Sequence, residues 1–262
     1  MNTGTAISSF RMADINNGEE QRMYEYGKRI GFSECDTKRQ LSVTSLIDVF
    51  QDCSTFQSED AGAGFYVLEK LHLVWVVNYW ELQIETLPYL CDNVTVGTFP
   101  YSFKGCFGMR NFYMKDAEGR YIVKANSMWT IIDTETVKPV KAPDFIRESY
   151  TIEEKLDMDY NPRKVLVPDG DDYNIVHPDP ITIQIHHLDS NHHMNNGQYV
   201  KLAMSSITDM DISSLRIDYR KQAMLGDEIF PVVYERDNER IVALNDRDGN
   251  PFSVSEYIGR IN

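Results

Sequence analysis

The sequence has little positive charge for its length. Among its 262 residues, 26 are Lys or Arg and 40 are Asp or Glu, which gives a formal net charge of −14. Nucleic acids and anionic membrane surfaces bind proteins through basic patches, so this balance argues against both as partners. Charged residues make up 25% and hydrophobic residues 42% of the chain. These are ordinary values for a globular protein with a sizeable core.

Closely spaced cysteines and long apolar runs are also missing. None of the cysteines forms a C-x-x-C pair, which argues against a zinc ribbon and against a disulfide framework. The cysteines are Cys35, Cys53, Cys91 and Cys106. Reduced thiols are typical of the cytoplasm, where we expect the protein to work. No apolar run approaches the roughly 20 residues of a membrane span. Residues 1–18 lack the apolar stretch of a signal peptide, so we expect a polar N-terminal extension there.

The chain carries a weak internal repeat, in which four landmarks recur in the same order. An Asp opens a polar stretch before an amphipathic helix, and a long strand with alternating apolar positions follows. A Leu-x-Asp turn comes next, and a hairpin turn that ends in Gly closes each set. The paired landmarks are Asp36 and Asp189, residues 74–80 and 215–219, 90–92 and 225–227, and 116–119 and 246–249. Each half therefore has one helix for several antiparallel strands.

One helix can be wrapped by a curved antiparallel sheet, and this arrangement is the hot-dog pattern. We predict an α+β tandem (double) hot-dog, with a generic α+β domain and accidental similarity as the alternative. The first unit is expected at residues 19–136, and the second at residues 181–262. A proline-rich crossover with one short strand is expected at residues 137–180. The two sheets should join edge to edge, because that protects exposed strand edges.

The segment 183–199 carries the side chains best suited to chemistry. Asp189, Asn191 and His193 alternate, so an extended loop would present all three on one side. The helix that follows is predicted to begin at Asn195 or Asn196, where free N–H groups and the positive dipole end favour a developing oxyanion. Asp189 can instead close a turn, and the two asparagines can contact substrate or serve as helix caps.

This segment resembles the signature of the acyl-acyl carrier protein (ACP) thioesterases of plants and bacteria, D-x-N-x-H-x-N-N-x-x-Y, which stands complete from Asp189 to Tyr199. Two weaker family elements fall at the expected distances, at residues 219–227 and 75–76. The resemblance covers about residues 20 to 260. It implies hydrolysis of fatty acyl-ACP, which releases free fatty acid and ends chain elongation. The implied partner is ACP with the acyl chain on 4′-phosphopantetheine, and no metal or organic cofactor is implied.

The sequence departs from the resembling family in the second of these elements. A Glu that is often assigned to water activation is Gln222 here, and a neighbouring Cys is Ala223. Gln cannot act as a general base, although its amide can orient a water. A cysteine nucleophile is excluded at this position. Asp189 is therefore left as the carboxylate for the chemistry, either to take the water proton or to hold His193 in the right tautomer for doing so. Asn191 and His193 would position the carbonyl and the water.

The resemblance also predicts where the substrate is held. In the family, the first hot-dog unit takes the acyl chain, and the first half of this chain is rich in aromatic residues. We predict Trp75 and Phe50 as cavity walls, although aromatic residues in such positions are often plain core. ACPs are acidic, so docking on an acidic protein requires a local basic patch. Lys38, Arg39 and Arg216 are candidates for that patch, and we predict docking at two further candidates, Arg220 and Lys221.

Three other functions stay open on the sequence alone. They are an acyl-coenzyme A thioesterase, a non-catalytic hot-dog module that binds acyl thioesters, and a hot-dog dehydratase. Clustered histidines also suggest a metal site, but adjacent residues of an extended segment point to opposite faces and cannot all converge on one ion. They are His186, His187, His192 and His193. A double hot-dog completes within one chain the pairing of a dimer of single units, so a monomer or a homodimer is expected.

Overall fold

The computed structural model describes residues 23–169, 171–189, 192–207 and 210–261. The polar extension expected at residues 1–18 lies outside these ranges. The first half contains β1 (Tyr24–Arg29), α1 (Val43–Asp60), α2 (Phe65–Lys70), β2 (Leu73–Ile84), β3 (Asn93–Lys104), β4 (Phe107–Lys115) and β5 (Tyr121–Asp133). The crossover contains β6 (Lys138–Pro139), α3 (Asp144–Glu148) and β7 (Asn174–Val176). The second half contains β8 (Ile181–Thr182), α4 (Asn196–Ser205), β9 (Ile212–Tyr219), β10 (Glu228–Arg236), β11 (Glu239–Asn245) and β12 (Pro251–Gly259).

The strands of the described residues form one continuous antiparallel sheet. Its order is β1-β3-β4-β5-β2-β9-β12-β11-β10-β7, with β6 beside β5 and β8 beside β10. The two halves join where β2 pairs with β9, which places Tyr79 opposite Asp218 and Trp80 opposite Ile217. The predicted edge-to-edge union is therefore confirmed, and the two hot-dog sheets share one hydrogen-bonded ladder.

Each half of the sheet packs on one main helix, as predicted. The buried face of α1 includes Leu46, Ile47, Phe50 and Cys53. This face follows the 3.6-residue period that the sequence shows. The second helix is shorter than expected, since α4 has 10 residues and α1 has 18. The two helices touch near the start of α4, where the Asn196 Nδ2 donates to Gln51 Oε1 at 3.2 Å.

The crossover between the halves is more structured than the single short strand that was expected. It holds a helical turn and two short strands, and it packs on the sheet face opposite the helices. There Asn161 Nδ2 donates to the carboxylate of Glu81 at 2.6 Å, and the Tyr160 hydroxyl donates to Asn111 Oδ1 at 2.9 Å. These bonds satisfy two buried polar side chains of the sheet, Glu81 and Asn111.

None of the helices in the described ranges combines the length and the apolar character that crossing a membrane requires.

Candidate active site

Two hydrogen bonds join Asp189 to His193. The Asp189 N–H donates to the His193 carbonyl at 2.8 Å, and the His193 N–H donates to Asp189 Oδ1 at 3.3 Å. His192 has a φ of 61°, a left-handed conformation that a non-glycine residue adopts only where a turn demands it. The expectation of an extended loop is therefore wrong, because these bonds close the backbone on itself. Asn191 lies outside the described residues.

The first half builds the same turn at Asp36. The Asp36 N–H donates to the Gln40 carbonyl at 2.8 Å, and the Gln40 N–H donates to Asp36 Oδ1 at 3.0 Å. Arg39 has a φ of 63° and so matches His192. The repeat seen in the sequence is thus confirmed in the backbone. Gln40 occupies the place of His193, so the first turn has the same shape without a titratable imidazole.

The helix that follows the second turn begins as predicted. Asn195 is the N-cap of α4, and its Oδ1 accepts the Gly197 N–H at 2.8 Å. The Asn195 N–H donates to the His187 carbonyl at 2.9 Å. Helix starts leave several N–H groups without intrahelical partners. Within the described part of the chain, the Asn196 N–H has no hydrogen-bond partner, so it is the donor that the start of α4 offers to a ligand.

Two tyrosines hold the end of β9 against this corner. The Tyr199 hydroxyl accepts the Ala223 N–H at 2.9 Å, and the Tyr219 hydroxyl donates to the Asn196 carbonyl at 3.1 Å. Ala223 is fully buried, and its methyl side chain offers no reactive group there. Gln222, the next residue back along the chain, is exposed and lines the cavity described below. Tyr199 is therefore a core residue that also positions the segment carrying Gln222.

A cavity of about 970 Å³ lies between the two halves. The first half contributes parts of α1, α2, β2, β3, β4 and β5, and the second half contributes the Asp189 turn, the start of α4 and residues 219–222. The predicted site residues that line it are Trp75, Asp189, His193, Asn195, Asn196, Arg220, Lys221 and Gln222. The structure thus gathers residues that are far apart in the sequence around one space of the size that ligand sites have.

Phe50 is placed elsewhere. It is fully buried in the core, where its ring lies 6.3 Å from Trp80 and 5.4 Å from Phe112 between centroids. The side chain fills space between α1 and the sheet and is not part of the cavity wall, which corrects the prediction made for it. Trp75 does line the cavity, and its ring lies 6.2 Å from that of Phe103.

One wall of the cavity carries a buried cation that the sequence did not suggest. Arg110 on β4 is 8% exposed, and its Nη1 contacts Gln57 of α1 and Thr98 of β3. Its guanidinium lies 5.3 Å from the centre of the Tyr150 ring. An Arg within a strand is usually solvent-facing, so no sequence signal separates this residue from surface arginines. It braces the second half of α1 against the sheet.

The two predicted docking residues are both engaged in ion pairs. Arg220 Nε donates to Asp218 at 2.9 Å, and a second nitrogen of its guanidinium bonds to the Val165 carbonyl of the crossover. Lys221 Nζ donates to Asp246 at 3.0 Å, and its side chain is 53% exposed. Arg220 therefore ties the crossover to a buried carboxylate, whereas Lys221 presents its charge to solvent beside the cavity.

The histidines and cysteines near the site differ in environment. His187 is buried, its Nδ1 accepts the Gln184 N–H at 3.0 Å, and burial lowers its pKa below the usual 6.5. His186 and His192 are exposed. Among the described residues, no group of three or more His, Cys, Asp or Glu side chains could hold a metal ion. Burial raises the pKa of the Cys53 thiol to about 12, and none of the four cysteines lines the cavity.

Family models match most of the chain. The acyl-ACP thioesterase N-terminal domain matches residues 21–150, and the acyl-ACP thioesterase C-terminal domain matches residues 173–248. A chloroplastic acyl-[acyl-carrier-protein] hydrolase of Cuphea viscosissima is 25% identical over 207 residues, which cover 72% of this chain and 49% of that protein. The chloroplastic oleoyl-acyl carrier protein thioesterase 2 of Arabidopsis thaliana is 25% identical over 281 residues, which cover 94% and 76%. The chain thus spans about half the length of the first of these relatives.

Solved structures give the same fold. An acyl-ACP thioesterase from Bacteroides thetaiotaomicron superposes with a TM-score of 0.82 at 21% identity, covering 91% of this chain and 98% of that one. A 12:0-ACP thioesterase from Umbellularia californica superposes with a TM-score of 0.78 at 19% identity, covering 93% and 99%. The predicted double hot-dog architecture is confirmed by these likenesses.

Proposed function

This chain belongs to the acyl-ACP thioesterase family, and from that membership we propose that it hydrolyses the thioester bond of fatty acyl-ACP and releases free fatty acid. The observation that carries the proposal is the shared cavity, in which His193, Asp189 and the start of α4 face α1 and β2 of the other half. Apolar side chains such as Leu68, Trp75 and Phe103 line its first-half end. Burial of an acyl chain there gains about 0.8 kcal/mol for each methylene.

His193 is the general base of the proposed reaction. It is half-buried at the cavity, and an imidazole is the side chain best suited to accept a proton near neutral pH. The oxygen of a water attacks the thioester carbon while His193 takes the water proton. The tetrahedral oxyanion then collapses, the carbon–sulfur bond breaks, and the thiolate leaves with the proton that the imidazolium returns.

Asp189 stabilises the turn that carries this histidine. Its Oδ1 accepts the His193 N–H, which fixes the backbone from which the imidazole projects. Its carboxylate is proposed to hold the imidazole in the tautomer that takes the water proton. Asn191, the third member of the family signature, has a proposed part in positioning the carbonyl, which rests on the sequence resemblance.

The start of α4 supplies a donor for the oxyanion. The Asn196 N–H has no hydrogen-bond partner within the described ranges and lies at the positive end of the helix dipole. The Tyr219 bond to the Asn196 carbonyl fixes the next peptide of the same turn. Loss of one such donor typically raises the barrier by about 3 kcal/mol. Gln222 is proposed to orient the attacking water through its amide.

ACP is the proposed partner, with Lys221 as the docking cation beside the cavity. An exposed charge at the rim of an interface acts mainly on encounter and binding, and its effect is screened by salt. The four unpaired cysteines support the proposal that the chain works in the reducing cytoplasm.

The test is an assay of thiol release with a chromogenic disulfide. Purified protein is incubated with acyl-ACPs of several chain lengths and with the matching acyl-coenzyme A compounds. We expect free thiol and free fatty acid in equal amounts, with a higher kcat/KM for the ACP substrates. Binding without thiol release would support a non-catalytic module instead, and a hydrated or dehydrated thioester as the product would support a hydratase or dehydratase.

A further inference from the structure

A β-bulge interrupts β2 at the cavity. Val77 pairs with Trp129 and Tyr79 pairs with Met128, so Asn78 is an extra residue without a partner on β5. Bulges locally re-aim side chains and recur next to active sites. Asn78 is half-buried and lines the same cavity as His193 and Asp189. The bulge therefore delivers a polar side chain to the cavity from a strand that is otherwise largely apolar.

The amide of Asn78 has a fixed orientation. The Thr130 hydroxyl on β5 donates to Asn78 Oδ1, so the amide nitrogen is the end that is left for other partners. That nitrogen carries two N–H donors. Within the part of the chain that the structure describes, Asn78 Nδ2 has no hydrogen-bond partner, and it is not sealed in the protein interior. Thr130 is buried, so its contact with Asn78 is protected from solvent.

The register of the sheet brings Asn78 close to the second half of the chain. The last pair between β2 and β9 joins Tyr79 and Asp218, and the residues adjacent to that pair, Asn78 and Tyr219, both line the cavity. Tyr219 in turn donates to the carbonyl of Asn196, whose own N–H is without a partner among the described residues. Two donors without a partner among the described residues thus belong to residues that line the same cavity, one from each half of the chain.

We propose that Asn78 is a second donor to the thioester oxygen, acting opposite the Asn196 N–H. The inference rests on the proposed hydrolysis and adds a residue to it. As the water attacks, the carbonyl oxygen gains negative charge and accepts hydrogen bonds from Asn78 Nδ2 and from the Asn196 N–H. When the carbon–sulfur bond breaks, the carbonyl reforms and this charge disappears. Thr130 is a positioning residue, because it sets which end of the amide faces the substrate.

The first test compares Asn78→Ala and Asn78→Asp with the wild type in the thiol-release assay. We expect Asn78→Ala to lower kcat by about 10²–10³-fold, because that is the usual loss for one oxyanion donor. KM should stay nearly constant, since the interaction forms only in the transition state. Asn78→Asp keeps the bond with Thr130 but faces the oxyanion with a carboxylate, so its loss of kcat should be larger. Melting temperatures of both variants check folding.

The second test uses Thr130 and pH. Thr130→Ser keeps the hydroxyl and should retain most of the activity, whereas Thr130→Val should lower kcat without displacing the pH profile of kcat/KM. The pH profile of kcat/KM in Asn78→Ala should keep the wild-type midpoint, because the asparagine amide does not titrate.

Three results would overturn the role of Asn78 while leaving the proposed hydrolysis intact. They are an unchanged kcat in Asn78→Ala, a raised KM with unchanged kcat, and a displaced pH profile, which would mean that Asn78 acts through His193. A wild-type protein that releases no thiol would instead overturn the proposed function and this inference with it.

Discussion

Asp36 and Asp189 occupy equivalent positions in the two halves, and each carboxylate accepts the backbone N–H of the residue four places further on. The distances are 3.0 Å from the Gln40 N–H and 3.3 Å from the His193 N–H. Both halves therefore contain the same turn. In the second half it carries an imidazole, at His193, and in the first half it carries Gln40 instead.

This equivalence gives a matched pair of variants. In both Asp36→Asn and Asp189→Asn the new amide oxygen can still accept the loop N–H, so each turn should keep its shape. We expect Asp36→Asn to leave turnover unchanged, because no reacting group follows it. Asp189→Asn should lower kcat by about 10²-fold, because the carboxylate proposed to hold the His193 imidazole is gone. Steady-state kinetics on one acyl-ACP measures both.

Equal and small effects in the two variants would mean that Asp189, like Asp36, serves only the turn. Equal and large effects, accompanied by lower melting temperatures, would mean that both turns are needed for the fold. Either result would remove Asp189 from the proposed chemistry.

Gln222 gives a gain-of-function prediction. It is exposed and lines the cavity. Gln222→Glu therefore introduces a carboxylate at little cost to the fold, and this carboxylate can accept a proton where the amide cannot. We expect kcat to rise severalfold at neutral pH. A loss of activity in Gln222→Glu, with an unchanged melting temperature, would show that the amide itself is needed to bind water or substrate.

The buried His187 predicts how stability depends on pH. Burial lowers the pKa of its imidazole below 6.5, so below that pH the unfolded chain binds a proton that the folded chain does not. Stability from this residue is fully present above 6.5 and is lost as the pH falls toward the lowered folded pKa. We expect the melting temperature of the wild type to fall as the pH drops below 6.5.

The control for this prediction is His187→Gln. Glu34 holds the matching position in the first half, where its Oε2 accepts the Gly31 N–H at 2.7 Å. A glutamine oxygen can do the same for the Gln184 N–H without titrating. The variant should show a flatter pH dependence. If wild type and variant lose the same number of degrees over this range, His187 is not the group responsible.

Lys221 is a better residue than Arg220 for a test of carrier-protein docking. Arg220→Glu would place a carboxylate beside the buried Asp218 and break the bond to the Val165 carbonyl, so it would disturb the fold. Lys221→Ala removes a half-exposed charge at the cavity rim. We expect KM to rise for acyl-ACP more than for acyl-coenzyme A, and the difference to shrink at high salt.

Arg247→Ala is the matched control for docking. Arg247 is an exposed cation that is paired with Glu228 and does not line the cavity. Its loss should leave both KM values unchanged. Equal increases of KM for the ACP and coenzyme A substrates in Lys221→Ala would argue against docking at this residue.

The sequence predicts the features that depend on local patterns. The inward face of α1, with Leu46 and Phe50, follows from the helical period, and the start of α4 at Asn195 follows from cap chemistry. The order of landmarks is enough to predict two units, because each unit has the same succession of turn, helix and strands. Periodicity predicts that Phe50 points inward, but it cannot tell core from cavity, since both lie on that face.

The remaining features depend on partners that are distant in the chain. Arg220 bonds to the Val165 carbonyl in the crossover, and nothing in the sequence spacing of the two residues indicates this contact. The bulge at Asn78 arises from the register against β5, which a strand pattern alone does not contain. The turn at His192 takes a left-handed conformation without glycine, so the usual turn signal was missing and an extended loop was expected instead.

The most direct measurement is thiol release from one acyl-ACP by the wild type, His193→Ala and His186→Ala. His186 is a nearby exposed histidine outside the cavity and serves as the control. We expect wild-type turnover for His186→Ala and a loss of about 10²–10⁴-fold in kcat for His193→Ala with an unchanged melting temperature. Near wild-type turnover in a folded His193→Ala protein would show that His193 is not the general base.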